Sequence, residues 1–453
     1  MLFGVPFRPG LEGKQQMKGI SAAEWSRQSW VESANDPACG FPLQSLPYCV
    51  FAREGCRTSV GAGIGTQIFD LRKSRGMGLL EGLPASILKA CEAQTLNLLM
   101  ACEPSAYAVL RARLMDLLDV AADRVTREQA GAALSPMETA TLLKPVDPAN
   151  YTDFYASIHH ATRVGRLFRP EQPLLPNYLY VPIGYHGRAS SIMASGAPVQ
   201  RPCGQTRPTA PDGEPSFGPT RFLDYEVEVA LFIGEGNRLG EPISIREAGT
   251  HVFGLSLLND WSARDIQAWE NQPLGPFLSK SFCTSVSPWV VPMAALAPFR
   301  APAALRMEYP LPLPYLFDVA DQYTGAIDLT VEAWLLTAAM RAAGEPPHRL
   351  SKANMRDLYW TPAQLVAHHT SNGSNLLPAD LLATGTLSGR DDTAAGCLLE
   401  LTSGGKVPIL LKNGESRTGL LDGDEVILRG FCEKEGFPKI SLGECRARVD
   451  PAR

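Results

Sequence analysis

The residues most able to do chemistry in this chain are carboxylates. In the run Asp224-Tyr225-Glu226-Val227-Glu228-Val229-Ala230-Leu231-Phe232-Ile233, strand alternation puts Val227, Val229 and Leu231 on one face and Glu226 and Glu228 on the other. Two carboxylates about 6.5 to 7 Å apart at Cα repel one another and lose hydration if buried, unless a cation sits between them. A hard-metal site and a solvated strand face are the two readings of that segment. Asp153 and His160 stand seven residues apart in Asn150-Tyr151-Thr152-Asp153-Phe154-Tyr155 to His159-His160-Ala161-Thr162. On a helix they share nearly one face and His159 points away, so His160 could work beside a group held by Asp153, or the histidine pair could simply fill an interface. Leu257-Leu258-Asn259-Asp260-Trp261-Ser262-Ala263-Arg264-Asp265-Ile266-Gln267 reads as a strand ending at Asn259 and a helix N-capped by Asp260. Arg264 and Gln267 then offer donors from one helix face, although an Asp260 to Arg264 pair is also ordinary helix chemistry.

Lys280 follows Leu274-Gly275-Pro276-Phe277-Leu278-Ser279, an apolar approach that suits a partly buried lysine with an anionic partner. Glu400 sits in the apolar, strand-like run Gly396-Cys397-Leu398-Leu399-Glu400-Leu401. Either could be an edge-strand residue. Taken together, acidic ligands, a histidine, a second glutamate and an Arg, Gln and Lys set are the inventory for metal-assisted attack of water on a carbonyl.

These groups need a frame, and the pattern indicates a β-rich α+β chain in two parts. Residues 1 to 80 carry short apolar runs (Tyr48 to Ala52, Thr66 to Leu71) and the cluster Gly61-Ala62-Gly63-Ile64-Gly65, which lacks the Lys-Ser/Thr ending of a phosphate loop. From Pro84 to Leu143 the leucines at 88, 96, 99, 110, 114, 117 and 118 follow a helical period, predicting two or three helices interrupted at Pro104. A boundary near residue 147 divides a domain 1–147 from a domain 148–453. Strands are predicted around 178–183, 225–233, 251–258, 326–336 and 425–431, without regularly interleaved helices, which favours a mixed β roll or sandwich over a doubly wound sheet. The proline-rich stretch 298–315 reads as an ordered extended connection.

Composition excludes several function classes. Of 453 residues, 45% are apolar and 20% charged, an ordinary globular balance, and 40 glycines with 37 prolines predict many turns. Lys and Arg number 42 against 47 Asp and Glu, a net charge of −5, the wrong sign for a protein that neutralises phosphates, so no nucleic-acid partner is expected. The uncharged run from Lys280 to Arg300 holds Pro288, Pro292 and Pro298 and cannot be a spanning helix, so no membrane partner is expected. The charged first thirty residues read as no secretory signal, and a cytoplasmic location is expected. Ten cysteines without CxxC spacing read as reduced, mostly buried thiols.

Longer motifs carry a resemblance: Asp153-Phe154-Tyr155 with His160-Ala161-Thr162, Leu175-Pro176-Asn177, Pro182-Ile183-Gly184-Tyr185-His186-Gly187-Arg188-Ala189-Ser190-Ser191, Asn259-Asp260-Trp261-Ser262-Ala263-Arg264-Asp265, and Pro273-Leu274-Gly275-Pro276-Phe277-Leu278-Ser279-Lys280-Ser281-Phe282. In these the chain resembles the fumarylacetoacetase family, from Phe41-Pro42-Leu43-Gln44 to Leu421-Asp422-Gly423-Asp424-Glu425-Val426. The resemblance implies a small N-terminal SH3-like barrel before a C-terminal mixed β-roll, a homodimer, and cleavage of a diketo acid. The substrate implied is 4-fumarylacetoacetate, hydrolysed to fumarate and acetoacetate in the last step of tyrosine and phenylalanine breakdown.

By the same resemblance Asp153, Glu226, Glu228 and Asp260 hold Ca²⁺ or Mg²⁺, with Lys280 and Thr284 lining a neighbouring magnesium position. His160 is the base that activates water, Glu400 orients it, and Arg264, Gln267 and Lys280 surround the developing oxyanion. Tyr155, Arg169, Tyr185, Gln267, Asn271 and Thr386 match substrate-contacting positions. Asn271 stands where the family has a tyrosine, and Ser279 and Cys283 stand where glycines are common, so altered affinity with retained chemistry is expected. An acylpyruvate or related β-diketone acid hydrolase is the nearest alternative, and a metal-binding protein without turnover is the alternative from another class.

Overall fold

The structure, a computed structural model, describes residues 22–210 and 212–453. The charged stretch from Arg8 to Lys18 lies outside the described residues. The chain is a mixed α/β fold built on one eight-stranded sheet and two five-stranded sheets, with four two-stranded pairs beside them among the described residues.

The N-terminal sheet is antiparallel and runs in the order Leu134–Pro136, Gln67–Asp70, Ser59–Ile64, Tyr48–Ala52, Thr141–Leu143. Gly61 to Ile64 of the glycine cluster fall in the buried Ser59–Ile64 strand, and Gly65 turns the chain at φ +58°. Between its third and fourth strands in sequence lie helices Ala85–Ala90, Asn97–Met100, Pro104–Leu118 and Arg124–Ala132. Pro104 opens the longest of them at the first position, where its missing N–H is harmless, instead of breaking a helix. The Asp123 carboxylate accepts from the Val125 and Thr126 amides and starts the last one.

The central sheet is mixed. Its order is Gly184–His186, Tyr151–Phe154, Leu381–Ala383, Val227–Ile233, Val252–Asp260, Thr284–Val286, Ile192–Ala194, with Val291–Pro292 also pairing onto Val252–Asp260. Leu381–Ala383 beside Tyr151–Phe154 and Thr284–Val286 beside Ile192–Ala194 are the parallel pairs, and the others are antiparallel. A second sheet, His348–Asn354, Thr330–Leu336, Glu425–Cys432, Ile440–Asp450, Val199–Gln200, covers one side. Register shifts at Phe232/Ile233, Ala333/Trp334 and Arg429/Phe431 add twist and curl these sheets.

The Val227–Ile233 strand is buried along its whole length, as the apolar run that ends it predicts. Its alternation now has two destinations. Val229, Leu231 and Ile233 join the core shared with the second sheet, and Ala230 and Phe232 join a core that contains Tyr48, Leu99 and Leu114 of the N-terminal part. Phe253 on the neighbouring strand makes that second contact tight, its ring centroid 5.8 Å from Tyr48 and 5.2 Å from Tyr107. Phe253→Ala is therefore expected to lower unfolding free energy by about 3–5 kcal/mol in denaturant titration, and a loss below about 1 kcal/mol would show that the two parts share no core.

Four sequence expectations need correction. Residues 178–183 form no strand; Pro176–Leu179 is a 3₁₀ turn, since Pro176 sets a helical first position. Asp153 and His160 do not share a helix, because Asp153 lies in the Tyr151–Phe154 strand and the helix starts only at Ile158, capped by Ser157. Asp260 is the last residue of its strand and caps nothing, because the following helix starts at Arg264 with Ala263 at the cap position. Glu400 lies in the one-turn helix Leu398–Leu401, not in a strand. The 298–315 connection crosses the surface outside both sheets, and there the Arg306 guanidinium stacks 3.8 Å from the Tyr359 ring and 4.4 Å from that of Trp360. The cysteines are all free, and seven of the ten are buried.

Candidate active site

Three strand ends meet at one end of the central sheet. Asp153 lies beside Ala383, Ala383 beside Ala230, and Asp260 one residue beyond the Val227–Asn259 pair. The short Leu381–Ala383 strand stops at Ala383, and this opens room between its neighbours for side chains. Asp153, Glu228 and Asp260 point into that room, each buried and each with a carboxylate oxygen within 4.8 Å of the others. Burial first, and then mutual repulsion, holds the Asp153 and Glu228 carboxyls well above the usual carboxylate range. Asp153 Oδ1 and Glu228 Oε1 have no hydrogen-bond partner at all. Buried oxygens without donors, crowded with like charge, fit a divalent cation that prefers oxygen ligands.

The remaining oxygens of this cluster each have a donor within reach. The Gly385 amide donates to Glu228 Oε2 at 3.1 Å, and the Thr284 hydroxyl donates to Asp260 Oδ1 at 3.1 Å. The Tyr185 hydroxyl lies 3.0 Å from Asp153 Oδ2 and 2.9 Å from Asp260 Oδ2, and its single proton serves one of them at a time. Gly385 is at φ +75°, and a Cβ there would fall 2.0 Å from the Phe154 carbonyl oxygen. Gly385→Ala should therefore move both backbones, costing at least about 1–3 kcal/mol for the left-handed strain alone and lowering activity with it, as thermal unfolding and turnover would show.

Glu226 stands beside the cluster in a different role. Its Oε1 is 2.7 Å from Arg264 Nη1 and 2.9 Å from Lys280 Nζ. Burial pushes its carboxyl up, but the Lys280 and Arg264 charges outweigh that and hold it well below the usual range. Lys280 is buried and also bonds Asp260 Oδ2 at 2.7 Å, and these two anions raise its ammonium against the pull of burial. The anionic partner expected for Lys280 is thus two carboxylates. Arg264 does face Gln267, at 3.1 Å, but its carboxylate partners are Glu226 and Asp224, the latter at 2.9 Å, rather than Asp260.

His160 is buried on the Ile158–Phe168 helix, and its Nδ1 lies 2.6 Å from Glu400 Oε1. Glu400 also accepts from the Ser388 hydroxyl at 2.7 Å and from Arg163 Nη1 at 3.2 Å. Burial would raise its carboxyl, yet the His160 ring, the Ser388 hydroxyl and the Arg163 guanidinium bring it down to about 2. An ionised Glu400 fixes the hydrogen on Nδ1, which leaves Nε2 as an acceptor. Cys397 adjoins this pair, and burial and the Glu400 charge push its thiol up.

A cavity of about 770 Å³ opens onto several of these groups. Asp153, Glu226, His160, Arg264, Gln267 and Lys280 line it, and so do all the expected substrate contacts: Tyr155, Arg169, Tyr185, Asn271 and Thr386. Thr284 does not reach it; with Asp260, Lys280 and Tyr185 it lines an adjoining cavity of about 150 Å³. Sequence reasoning missed Asp224, Arg163, Ser388 and Arg207. Asp224 was accessible, being two residues before Glu226, and so was Arg163, one helical turn after His160. Ser388 and Arg207 carry no local signal.

The fumarylacetoacetate hydrolase C-terminal family model matches residues 149–450, and the fumarylacetoacetase N-terminal model matches residues 44–145. The chain is 44% identical over 443 residues to the fumarylacetoacetase of Oryza sativa subsp. japonica, covering 95% of this chain and 99% of that one. It is 46% identical over 430 residues to the fumarylacetoacetase of Homo sapiens, covering 94% and 99%. Among solved structures, a fumarylacetoacetate hydrolase from psychrophilic Exiguobacterium antarcticum aligns over 90% of this chain and 99% of that one, with TM-score 0.49 and 19% identity. Because the larger match takes in every residue of the carboxylate cluster and the His160–Glu400 pair, and the relatives align almost end to end, the chain belongs to the fumarylacetoacetate hydrolase family.

Proposed function

We propose that this chain hydrolyses the carbon–carbon bond of 4-fumarylacetoacetate to fumarate and acetoacetate, the closing step of tyrosine and phenylalanine breakdown. The observation that carries the reading is that His160, held by a buried 2.6 Å contact with Glu400, lines the same cavity as Asp153 of the carboxylate cluster, in a chain 44% identical to a fumarylacetoacetase over 95% of its length. Asp153, Glu228 and Asp260, with Glu226 alongside, would hold Ca²⁺ or Mg²⁺. A cation bound there supplies positive charge to polarise the diketone oxygens and lower the energy of the departing enolate.

His160 Nε2 takes a proton from water, and that water adds to the fumaryl carbonyl. Glu400 keeps the ring in the right tautomer and stabilises the imidazolium that forms. Arg264, Gln267 and Lys280 face the developing oxyanion. The carbon–carbon bond then breaks, the electron pair leaves on the acetoacetyl carbon, and the imidazolium is the acid from which that carbon regains a proton. Tyr155, Arg169, Tyr185, Gln267, Asn271 and Thr386 position the chain of the substrate.

The same reading takes residues 1–147 as an N-terminal unit with an SH3-like barrel and 148–453 as a catalytic β-roll, supported by separate family matches at 44–145 and 149–450. It includes a homodimer in the cytoplasm without nucleic-acid or membrane partners; no helix among the described residues is long and apolar enough to cross a membrane. One observation favours a second reading, an acylpyruvate or other β-diketone acid as substrate: the cavity is lined by Asn271 where the family has tyrosine. The test is to follow diketone loss from fumarylacetoacetate and from a simple acylpyruvate, with and without chelator. Chelator-sensitive turnover of the first alone is expected; preference for the acylpyruvate would transfer the function to the second reading, and silence on both would leave a binding protein.

A further inference from the structure

Four cations other than histidine line the cavity, and only two of them are neutralised within the protein. Arg264 and Lys280 are held by Asp224, Glu226 and Asp260. Arg169 and Arg207 form no ion pair with any described carboxylate. Each is tethered to the backbone in the same way, Arg169 Nη2 donating to the Pro173 carbonyl at 3.4 Å and Arg207 Nη2 donating to the Ala268 carbonyl at 3.0 Å. A guanidinium has five N–H donors in a planar fork, so one tether orients it and leaves the fork for a carboxylate.

Arg207 is exposed, and the strand that leads into it is well packed. Arg207 follows the Cys203–Thr206 strand, and that strand packs on the Arg264–Glu270 helix so closely that a Cβ on Gly204 would fall 2.6 Å from Ile266 Cδ1. The Trp269 indole N–H donates to Gln205 Oε1 at 3.3 Å across the same contact. Arg207 therefore sits at the C-terminal end of the helix that carries Arg264 and Gln267. Asn271 follows Ala268 by three residues on that helix end and lines the same cavity. Fumarylacetoacetate carries a carboxylate at each end, and the functional reading above gives one of them to Arg169, whose planar fork suits it.

Resting on the functional reading above, we propose that Arg207 receives the second terminal carboxylate of the substrate, beside Asn271, and so selects diketo dicarboxylates over diketo monoacids. The alternative role for Arg207 is a helix C-cap alone, and kinetics separates the two. Arg207→Gln and Arg169→Gln are assayed with fumarylacetoacetate and with two analogues, each having one terminal carboxylate replaced by methyl. Arg207→Gln is expected to raise KM for fumarylacetoacetate about 10- to 100-fold, the range of a charged hydrogen bond, with kcat within a few-fold of the parent. Its effect should vanish with one analogue, and that of Arg169→Gln with the other. An unchanged KM, or an equal loss on both analogues accompanied by a lower melting temperature, would overturn the assignment and leave a cap. A parent protein that does not turn over fumarylacetoacetate would instead remove the functional reading, and this inference with it.

Discussion

Glu400→Gln is expected to lower kcat by about 10²- to 10⁴-fold, the contribution of a positioned general base, while KM changes little. Glutamine keeps the shape and can still bond the His160 ring, but it removes the negative charge that fixes the Nδ1 hydrogen and stabilises the imidazolium. It also leaves Arg163, which bonds Glu400 Oε2 at 3.2 Å, without that anion. The readouts are single-turnover rate and thermal midpoint together. A folded variant with turnover within a few-fold of the parent would contradict the base assignment.

The same residue sets an acid limit. Its carboxyl is held at about 2, below the ordinary value near 4.5. A depressed carboxylate stabilises the fold above the ordinary value, and that contribution is lost as pH falls from there toward 2. Acid unfolding between those limits should therefore be shallower in Glu400→Gln than in the parent.

The second large effect concerns the carboxylate cluster. Chelation is expected to reduce turnover by roughly 10³-fold or more, since stabilising charge in the transition state contributes several kcal/mol at 1.36 kcal/mol per tenfold. Glu228→Gln should reproduce that loss and make it insensitive to added Ca²⁺ or Mg²⁺. The stability signs are opposite in the two metal states. Cation at a thousand times its Kd should stabilise the parent by about 4 kcal/mol and the variant much less. Without cation the variant should be the more stable, because Asp153 and Glu228 are raised by burial and by repulsion from their neighbours.

The pH dependence follows from the same shifts. A carboxyl raised in the folded state binds protons there that the unfolded chain has lost, so stability is present at low pH and falls as pH rises through the folded value. Melting curves of metal-free parent should decline with rising pH, and those of metal-loaded parent should not. A parent indifferent to chelator in both activity and melting would show that no cation belongs in the cluster.

Much of this was legible in the chain because strand periodicity is local. The alternation through Glu226 and Glu228, the buried run to Ile233 and the sheltered Lys280 all follow from residues within ten positions of one another. What misled was continuity. Asp153 and His160 look like one helix by spacing, but Ser157 caps a new helix and separates a strand ligand from a helical base. Asp260 looks like an N-cap because Asp is favoured there, yet the strand runs through it, held by pairing with Thr284.

The site's completeness was not legible. Glu400 reaches His160 across 240 positions, and Ser388 and Gly385 enter only because the Leu381–Ala383 strand is inserted between Tyr151–Phe154 and Val227–Ile233. No local pattern announces a parallel pairing of that kind. The division of labour between Glu226 and Glu228 was equally hidden, because it depends on which of two neighbouring carboxylates Arg264 and Lys280 reach.

The most direct test is to run the metal-loaded protein with fumarylacetoacetate in ¹⁸O-labelled water and weigh the fumarate it releases. Water activated by His160 and added to the fumaryl carbonyl places one solvent oxygen in the new carboxylate, so fumarate gaining a single ¹⁸O, abolished by Glu400→Gln and by chelator, is the predicted result. Unlabelled fumarate, or no fumarate from a folded, metal-loaded protein, would contradict the account.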